Sequence, residues 1–149
     1  MKENYNKKFQ WIYENGFYLT SDKTRIFKLL TQYDIYKKLI NLKGDVYEFG
    51  VFKGSSLIRF LTFSDYLDKT KRKFYAFDNF GYFPSSKYSY EKKFIKKFEK
   101  NSGHGLNKKK LANFLNKKEF NNFDLIKGNV LKTLPKFLKN KKNVKIALL

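Results

Sequence analysis

The sequence lacks cysteine, and it has one histidine and two prolines in 149 residues. The absence of cysteine excludes disulfide bonds, thiolate nucleophiles and cysteine-ligated zinc sites. A single imidazole, that of His104, excludes a histidine-rich metal centre within the chain. No apolar run reaches the length of a membrane span, and the N-terminal segment lacks the apolar region of a secretory signal. We therefore expect a cytoplasmic protein whose chemistry uses carboxylates, hydroxyls and backbone groups.

Acidic residues are also scarce: the chain has 13 of them and 33 basic residues, which gives a net charge of +20. This charge alone predicts attraction to nucleic acid or to an anionic membrane surface. Only Arg25, Arg59 and Arg72 are arginines, although arginine is favoured in contacts with phosphates and bases. The abundance of Lys, Asn, Phe, Tyr and Ile is the composition that an AT-rich genome produces. The composition therefore disfavours nucleic acid as a partner, while anionic small substrates such as nucleotide sugars remain compatible with it.

The first half of the chain reads as a helix followed by a strand, a second helix and a second strand. Apolar residues at helical spacing predict a helix that Ser21 caps and that ends near Gly44. The run "VYEFGV" then predicts a strand, "SSLIRFLTFSDYL" a helix, and "KFYAFD" a strand that ends at Asp78. We predict an N-terminal helical segment over residues 1–44 and a βαβ-based domain over residues 45–149.

The second half continues the alternation of helices and strands. A lysine-rich helix is predicted from Tyr90 to about Lys100, and Asn107 is placed to cap the next helix. "FDLIKGN" predicts a third strand, and Thr133 is expected to cap a helix with Pro135 in its first turn. "VKIALL" predicts a fourth strand.

This alternation predicts an α/β fold, a Rossmann-like parallel sheet with helices on both faces. About four strands make only part of such a sheet. The last strand is apolar up to Leu149 and would leave an open hydrophobic edge, which native sheets avoid. We therefore expect an incomplete sheet and a chain that is a fragment.

The turn "EFGVFKGSS" lies at the carboxyl end of the first strand, where open α/β sheets bind ligands. Gly50 lets the backbone turn and approach a ligand, and Gly54 allows close passage into the helix. Ser55 and Ser56 present N–H groups at the positive end of that helix. The spacing is G-x-x-x-G rather than the G-x-G-x-x-G of dinucleotide folds, and ordinary turn glycines are the alternative interpretation.

Two carboxylates narrow the choice of ligand. Asp78 ends the second strand, where a carboxylate can accept both hydroxyls of an adenosine ribose. Glu48 lies inside the first strand and would need a cationic or donor partner if buried, which an ammonium group of the ligand would supply. A loop cap for Asp78 and an ion pair with a lysine for Glu48 are the alternatives. A ligand with a ribose, a cation and a carboxylate describes S-adenosylmethionine better than NAD.

Four motifs occur in a fixed order: "GDVYEFGVFKGSSLIRF", "FYAFDNFGYFP", "FDLIKGNVLKTLP" and "VKIALL". Together they resemble the class I S-adenosylmethionine-dependent methyltransferases of the TylF/MycF sugar O-methyltransferase family, with the dTDP-6-deoxy-L-hexose 3-O-methyltransferases as the nearest branch. The resemblance runs from about Phe17 to Leu149. Carried over by position, it implies that the cofactor is bound by Glu48, Gly50, Val51, Gly54, Ser55, Ser56, Asp78, Asn79, Gly128 and Asn129.

The resemblance implies transfer of a methyl group to a hydroxyl of a nucleotide-activated deoxysugar or related glycan precursor, as in polysaccharide biosynthesis. The family's catalytic residues and its carboxylates for a divalent metal such as Mg²⁺ are expected beyond Leu149, so we assign neither a catalytic nor a metal residue here. The chain by itself is then expected to bind the cofactor poorly and to be inactive. His104 is interpreted as a loop residue rather than the base, and a homo-oligomer is compatible with the resemblance.

The loop "NFGYFPSSKY" is expected to cover the cofactor, with Phe80, Tyr82 and Phe83 excluding water; a packed surface loop is the alternative. Two other classes of protein stay open. A basic module that binds nucleic acid or an anionic surface would show strongly salt-dependent binding to phosphates. An NAD(P)-binding Rossmann domain is disfavoured by the missing second glycine of its fingerprint.

Overall fold

A computed structural model describes residues 5–69, 72–141 and 143–149. A short 3₁₀ helix, Lys7–Phe9, precedes six helices and four strands in these ranges. In chain order they are α1 (Gln10–Thr20), α2 (Lys23–Lys37), β1 (Asp45–Phe49), α3 (Ser55–Leu67), β2 (Phe74–Asp78), α4 (Ser89–Ser102), α5 (Lys108–Asn116), β3 (Phe123–Lys127), α6 (Val130–Asn140) and β4 (Ile146–Leu148).

The four strands form one parallel sheet in the order β3-β2-β1-β4. The register pairs Phe49 with Phe77 and Asp78 with Lys127, so the carboxyl ends of β1, β2 and β3 lie at one edge. The chain moves outward from β1 to β3 and then returns to the other side of β1 with β4. The predicted α/β sheet is confirmed, and its strand order reverses at β1.

Side chains alternate between the two faces of the sheet, as extended strands require. Val46 faces a core that contains Leu57 and Leu61 of α3 together with Leu111 and Leu115 of α5. The aromatic side chains on the opposite face pack around the ring of one residue of α6, with centroids 4.8–6.0 Å apart; the cluster is Tyr47, Tyr75, Phe77 and Phe137. Helices thus cover the sheet on both sides.

A buried ion pair connects α2, α3 and the segment before β2. Arg72 Nε lies 2.9 Å from Asp68 Oδ2, and the two side chains are 8% and 2% exposed. The same carboxylate accepts hydrogen bonds from the hydroxyls of Tyr36, at 2.5 Å, and Ser64, at 2.8 Å. Burial and this carboxylate raise the pKa of the Tyr36 phenol. Polar as well as apolar contacts therefore connect α2 to α3. The predicted boundary between the helical segment of residues 1–44 and the domain of residues 45–149 stays a prediction.

Several predicted helix ends were wrong. α6 begins at Val130, because Asn129 accepts a hydrogen bond from the Leu131 N–H at 2.9 Å; the predicted cap, Thr133, lies inside the helix. Pro135 consequently lies in the helix interior rather than in its first turn. The sequence offers two residues able to cap this helix, and only the course of the loop after β3 decides between them.

The N-terminal part differs from prediction as well. α1 lies within the predicted helical segment of residues 1–44, but no separate helix was predicted there, because its aromatic and polar residues show no clear helical period. α2 is capped by Asp22, whose carboxylate accepts from the Thr24 N–H at 2.8 Å, rather than by Ser21. It ends at Lys37, well before Gly44. Among the helices described here, none is long and apolar enough to cross a membrane.

Candidate functional site

Loops that follow β1, β2 and β3 meet at the carboxyl edge of the sheet, where the strand order reverses. The Gly50 N–H donates to the Phe77 carbonyl at 2.9 Å, and the Gly128 N–H donates to the Asp78 carbonyl at 2.9 Å. A cavity of about 530 Å³ opens at this edge. Its walls include six aromatic side chains: Phe49, Phe52, Phe77, Tyr82, Phe83 and Phe98. The position and the lining are typical of a small-molecule site.

The Asp78 carboxylate fastens two of these loops together. Its Oδ2 accepts from the N–H groups of Val51, at 2.6 Å, and Phe52, at 3.0 Å. Its Oδ1 accepts from the Phe80 N–H at 2.7 Å. Because an ionised carboxylate has about four acceptor positions, these three bonds leave room for one ligand hydroxyl. The predicted contact with both ribose hydroxyls therefore requires a rearrangement or a shared bond.

Phe52 and Phe80 adopt left-handed backbone conformations, with φ of 54° and 53°. Such conformations cost a non-glycine residue roughly 1–3 kcal/mol, and both N–H groups donate to the same carboxylate, which holds the strained loops in place. A third loop joins them, since the Leu106 N–H donates to the Phe52 carbonyl at 3.0 Å and the Gly105 N–H to the Gly81 carbonyl at 3.0 Å. No sequence signal marks the two phenylalanines, because left-handed positions usually carry Gly or Asn.

Glu48 lies in β1, behind the turn that borders the cavity. Its Oε1 accepts a hydrogen bond from the Ser56 hydroxyl, whereas its buried Oε2 has no hydrogen-bond partner in the part of the chain that the structure describes. Burial raises the pKa of this carboxyl to about 7; Ser56 opposes the rise, the Asp78 charge adds to it and Lys28 opposes it. A buried acceptor without a partner is costly. The ammonium group of a ligand would satisfy it if it reached this position.

The ten predicted cofactor residues divide into two groups. Five line the cavity, namely Gly50, Asp78, Asn79, Gly128 and Asn129. Their individual ligand contacts stay predictions. Gly50 has a φ of 85°, and a Cβ added there would meet nothing within 4 Å, so its backbone is open to a ligand.

The other five, Glu48, Val51, Gly54, Ser55 and Ser56, lie outside the cavity lining. Val51 is buried in the core, and a Cβ on Gly54 would lie 2.7 Å from Leu111 Cδ1. Ser56 donates to Glu48, as described above, and Ser55 is exposed. The structure thus gives Gly54 a packing role against α5, and the cofactor contacts of these five residues stay predictions.

The predicted cover loop forms part of the cavity wall. Tyr82 and Phe83 line the cavity, whereas Phe80 is buried in the core. The ring of Tyr82 lies 4.0 Å from that of His104, between centroids. Glu99 of α4 holds both loops, since its Oε1 lies 3.3 Å from His104 Nδ1 and accepts from the Phe83 N–H at 3.4 Å. His104 therefore packs against a residue of the cavity wall and contacts the Glu99 carboxylate.

The described residues do not fit a metal ion, because no three of their His, Asp or Glu side chains come together. The resemblance implied a divalent metal only for residues beyond Leu149. We derive no chemical step through a metal from this chain.

Comparisons with known proteins identify the fold. No protein-family model and no curated protein matches the sequence. Two solved structures of CalS11, described as a TDP-rhamnose 3′-O-methyltransferase of calicheamicin biosynthesis, align with TM-scores of 0.55 and 0.60 at 19% and 18% identity. They cover 94% and 97% of this chain. The O-methyltransferase NovP aligns with a TM-score of 0.61 at 20% identity over 72% of this chain.

The chain spans 55%, 59% and 47% of these three neighbours, which is about half of their length. At such low identity the likeness shows a shared α/β fold. It confirms the fold expected from the four sequence motifs.

Proposed function

We propose that this chain is the S-adenosylmethionine-binding part of an O-methyltransferase that acts on a hydroxyl of a nucleotide-activated deoxysugar or related glycan precursor. The observation that carries the proposal is the cavity at the reversal of strand order, where the open backbone of Gly50, the carboxylate of Asp78 and the loop at Gly128 converge. The fold shared with two O-methyltransferases, one of them described as a TDP-rhamnose 3′-O-methyltransferase, supports it. Membership of the TylF/MycF family, polysaccharide biosynthesis and a homo-oligomer belong to the same proposal and rest on the sequence resemblance. The proposal also includes the cytoplasmic location expected from the sequence.

Each residue of the cavity has a task that follows from its chemistry. Asp78 accepts one ribose hydroxyl with its remaining acceptor position, and Gly50 allows the ligand to approach the backbone. The aromatic walls exclude water and attract a cation over their faces. Glu48, which lies outside the cavity lining, accepts a hydrogen bond from the ligand ammonium group where the ligand reaches its buried Oε2. When bound, S-adenosylmethionine supplies a methyl group on a positively charged sulfur, and the chain contributes orientation and desolvation.

Calorimetric titration with three ligands tests the proposal. S-adenosylhomocysteine carries adenosine and an amino-acid end, 5′-methylthioadenosine lacks the amino-acid end, and NAD represents the alternative Rossmann class. We expect the chain to bind the first best, the second more weakly and NAD not at all. Tight binding of NAD alone would instead favour the dinucleotide-binding alternative, and binding of none of the three would refute a nucleoside site.

Two variants distinguish the ligand contact proposed for Glu48 from the one proposed for Asp78. Glu48→Gln should weaken S-adenosylhomocysteine about tenfold or more, as expected for a lost charge-assisted hydrogen bond, and should leave 5′-methylthioadenosine unchanged. Asp78→Asn should weaken both. Asp124→Asn, an exposed carboxylate on β3, is the matched control and should change neither. Equal losses of the two ligands in Glu48→Gln would contradict the assignment of its ammonium contact.

A further inference from the structure

The outer face of α4 carries the densest cluster of lysines on one described helix. Five lysines on this helix are exposed: Lys92, Lys93, Lys96, Lys97 and Lys100. No ion pair joins any of them to a carboxylate in residues 5–69, 72–141 or 143–149. These side chains therefore form a positively charged strip without internal compensation.

The acidic residues of α4 lie on its other side and are already engaged. Glu91 accepts a hydrogen bond from the Ser86 hydroxyl, and Glu99 contacts His104 and the Phe83 N–H. Both glutamates are only partly exposed, unlike the lysines. The charges of the helix are thus segregated, with the acidic side turned to the protein and the basic side to solvent.

Two aromatic side chains lie beside this basic strip. Tyr90 and Phe94 are separated by four residues, so they share one side of the helix with Lys93 and Lys97, and they are 67% and 61% exposed. One turn further, Phe98 packs inward against Phe52 at 5.4 Å between ring centroids and lines the cavity. The helix therefore turns one aromatic ring inward and leaves the other two mostly exposed, although Phe94 also stacks on Phe98 at 5.9 Å and Tyr90 on Tyr88 at 5.7 Å between ring centroids.

We infer that this face of α4 binds an anionic membrane surface, with the lysines attracted to the lipid headgroups and Tyr90 and Phe94 inserted between them. Helices that lie in the membrane interface combine lysines on a polar face with adjacent aromatic or aliphatic residues. Polybasic segments are attracted to anionic lipids in the same way. The inference goes beyond the proposed function, because it needs neither cofactor nor substrate.

The composition of the strip favours lipid over nucleic acid. All basic residues of the strip are lysines, whereas nucleic-acid-binding proteins favour arginine, because its guanidinium can make bidentate contacts with phosphates and bases. Two of the three arginines are engaged inside the protein, since Arg59 donates to Gln32 and Arg72 to Asp68. Lysine ammonium groups can contact mobile lipid headgroups in many arrangements, while the adjacent rings of Tyr90 and Phe94 insert between the headgroups. The binding surface would then lie on the helix whose inner side forms the cavity wall.

Sedimentation with lipid vesicles tests the inference directly. The chain should sediment with vesicles of phosphatidylcholine containing phosphatidylglycerol and stay in solution with vesicles of phosphatidylcholine alone. Added salt should release it, because the attraction is electrostatic. Failure to bind the anionic vesicles at low salt would overturn the inference.

Matched pairs of variants then locate the surface. Lys93→Gln with Lys97→Gln should weaken partitioning about 25-fold, at about fivefold per lysine. Lys132→Gln with Lys136→Gln, an exposed pair at the same spacing on α6, should weaken it much less. Equal losses would mean that net charge alone drives binding and would overturn the role of α4.

A second comparison tests the aromatic pair. Phe94→Ala should weaken partitioning about tenfold, because the variant lacks the ring that inserts between the lipid headgroups. Tyr66→Ala, which removes a ring 79% exposed on α3, should not weaken it. An unchanged Phe94→Ala would overturn the insertion. A single-stranded RNA oligonucleotide that displaces the chain from anionic vesicles, with the same dependence on Lys93 and Lys97, would overturn the choice of lipid.

Discussion

Glu48→Gln provides a quantitative test of the buried carboxylate behind the cavity. Burial raises the pKa of this group from its ordinary value of 4.5 to about 7, and its Oε2 has no hydrogen-bond partner among the described residues. Glutamine has the same shape and keeps an oxygen acceptor for the Ser56 hydroxyl, but it does not ionise. The difference in stability between the two proteins therefore measures what the charge costs.

The sign and the size of the effect follow from linkage between protonation and folding. Below about pH 4.5 the carboxyl is protonated in both the folded and the unfolded chain, so the charge has no effect. As the pH rises towards 7 the unfolded chain releases its proton first, so the folded state loses stability. At 1.36 kcal/mol per pKa unit, the shift from 4.5 to about 7 amounts to roughly 3 kcal/mol above pH 7.

Urea unfolding of both proteins between pH 4 and pH 8 is the assay. We expect Glu48→Gln to gain roughly 3 kcal/mol in unfolding free energy relative to the unsubstituted chain across this range. The same pair in saturating S-adenosylhomocysteine should show a smaller gain, since a ligand ammonium group favours the ionised carboxyl. A difference that stays constant with pH would refute the raised pKa and, with it, the buried position of Glu48.

Two further predictions concern a packing contact of Gly54 and the buried ion pair between Asp68 and Arg72. Gly54→Ala should destabilise the chain by about 1–3 kcal/mol in urea unfolding, because its φ is 81° and the added Cβ would lie 2.7 Å from Leu111 Cδ1. Gly16→Ala in α1, where a Cβ meets nothing within 4 Å, is the control and should stabilise slightly; the opposite order would contradict the contact with α5. Asp68→Asn should cost about 3 kcal/mol, since it leaves Arg72 buried without its counter-charge. The exposed Asp34→Asn should cost little, and equal effects in thermal unfolding would argue against a buried pair.

Local sequence pattern was sufficient for much of the fold. α3 covers Ser55–Leu67, and β2 ends at Asp78, as predicted. These elements were predictable because their apolar periodicity and turn residues depend on neighbours in the chain. The same reasoning placed Gly50, Asp78 and Gly128 at strand ends, and parallel pairing brings strand ends to one edge. A cavity at that edge could therefore be predicted from the sequence.

The contacts of the site were decided by the tertiary structure. The sequence could place Asp78 at the end of β2 but could not show that its carboxylate accepts from Val51, Phe52 and Phe80. Those bonds depend on the registered pairing of β1 with β2 and on left-handed backbone at two phenylalanines, which no residue preference signals. The buried Oε2 of Glu48, which has no partner within the described ranges, likewise depends on packing between elements distant in sequence. The sequence determined which residues reach the edge of the sheet, because short-range periodicity sets the strands; packing between distant segments determined which of their polar groups remain available to a ligand.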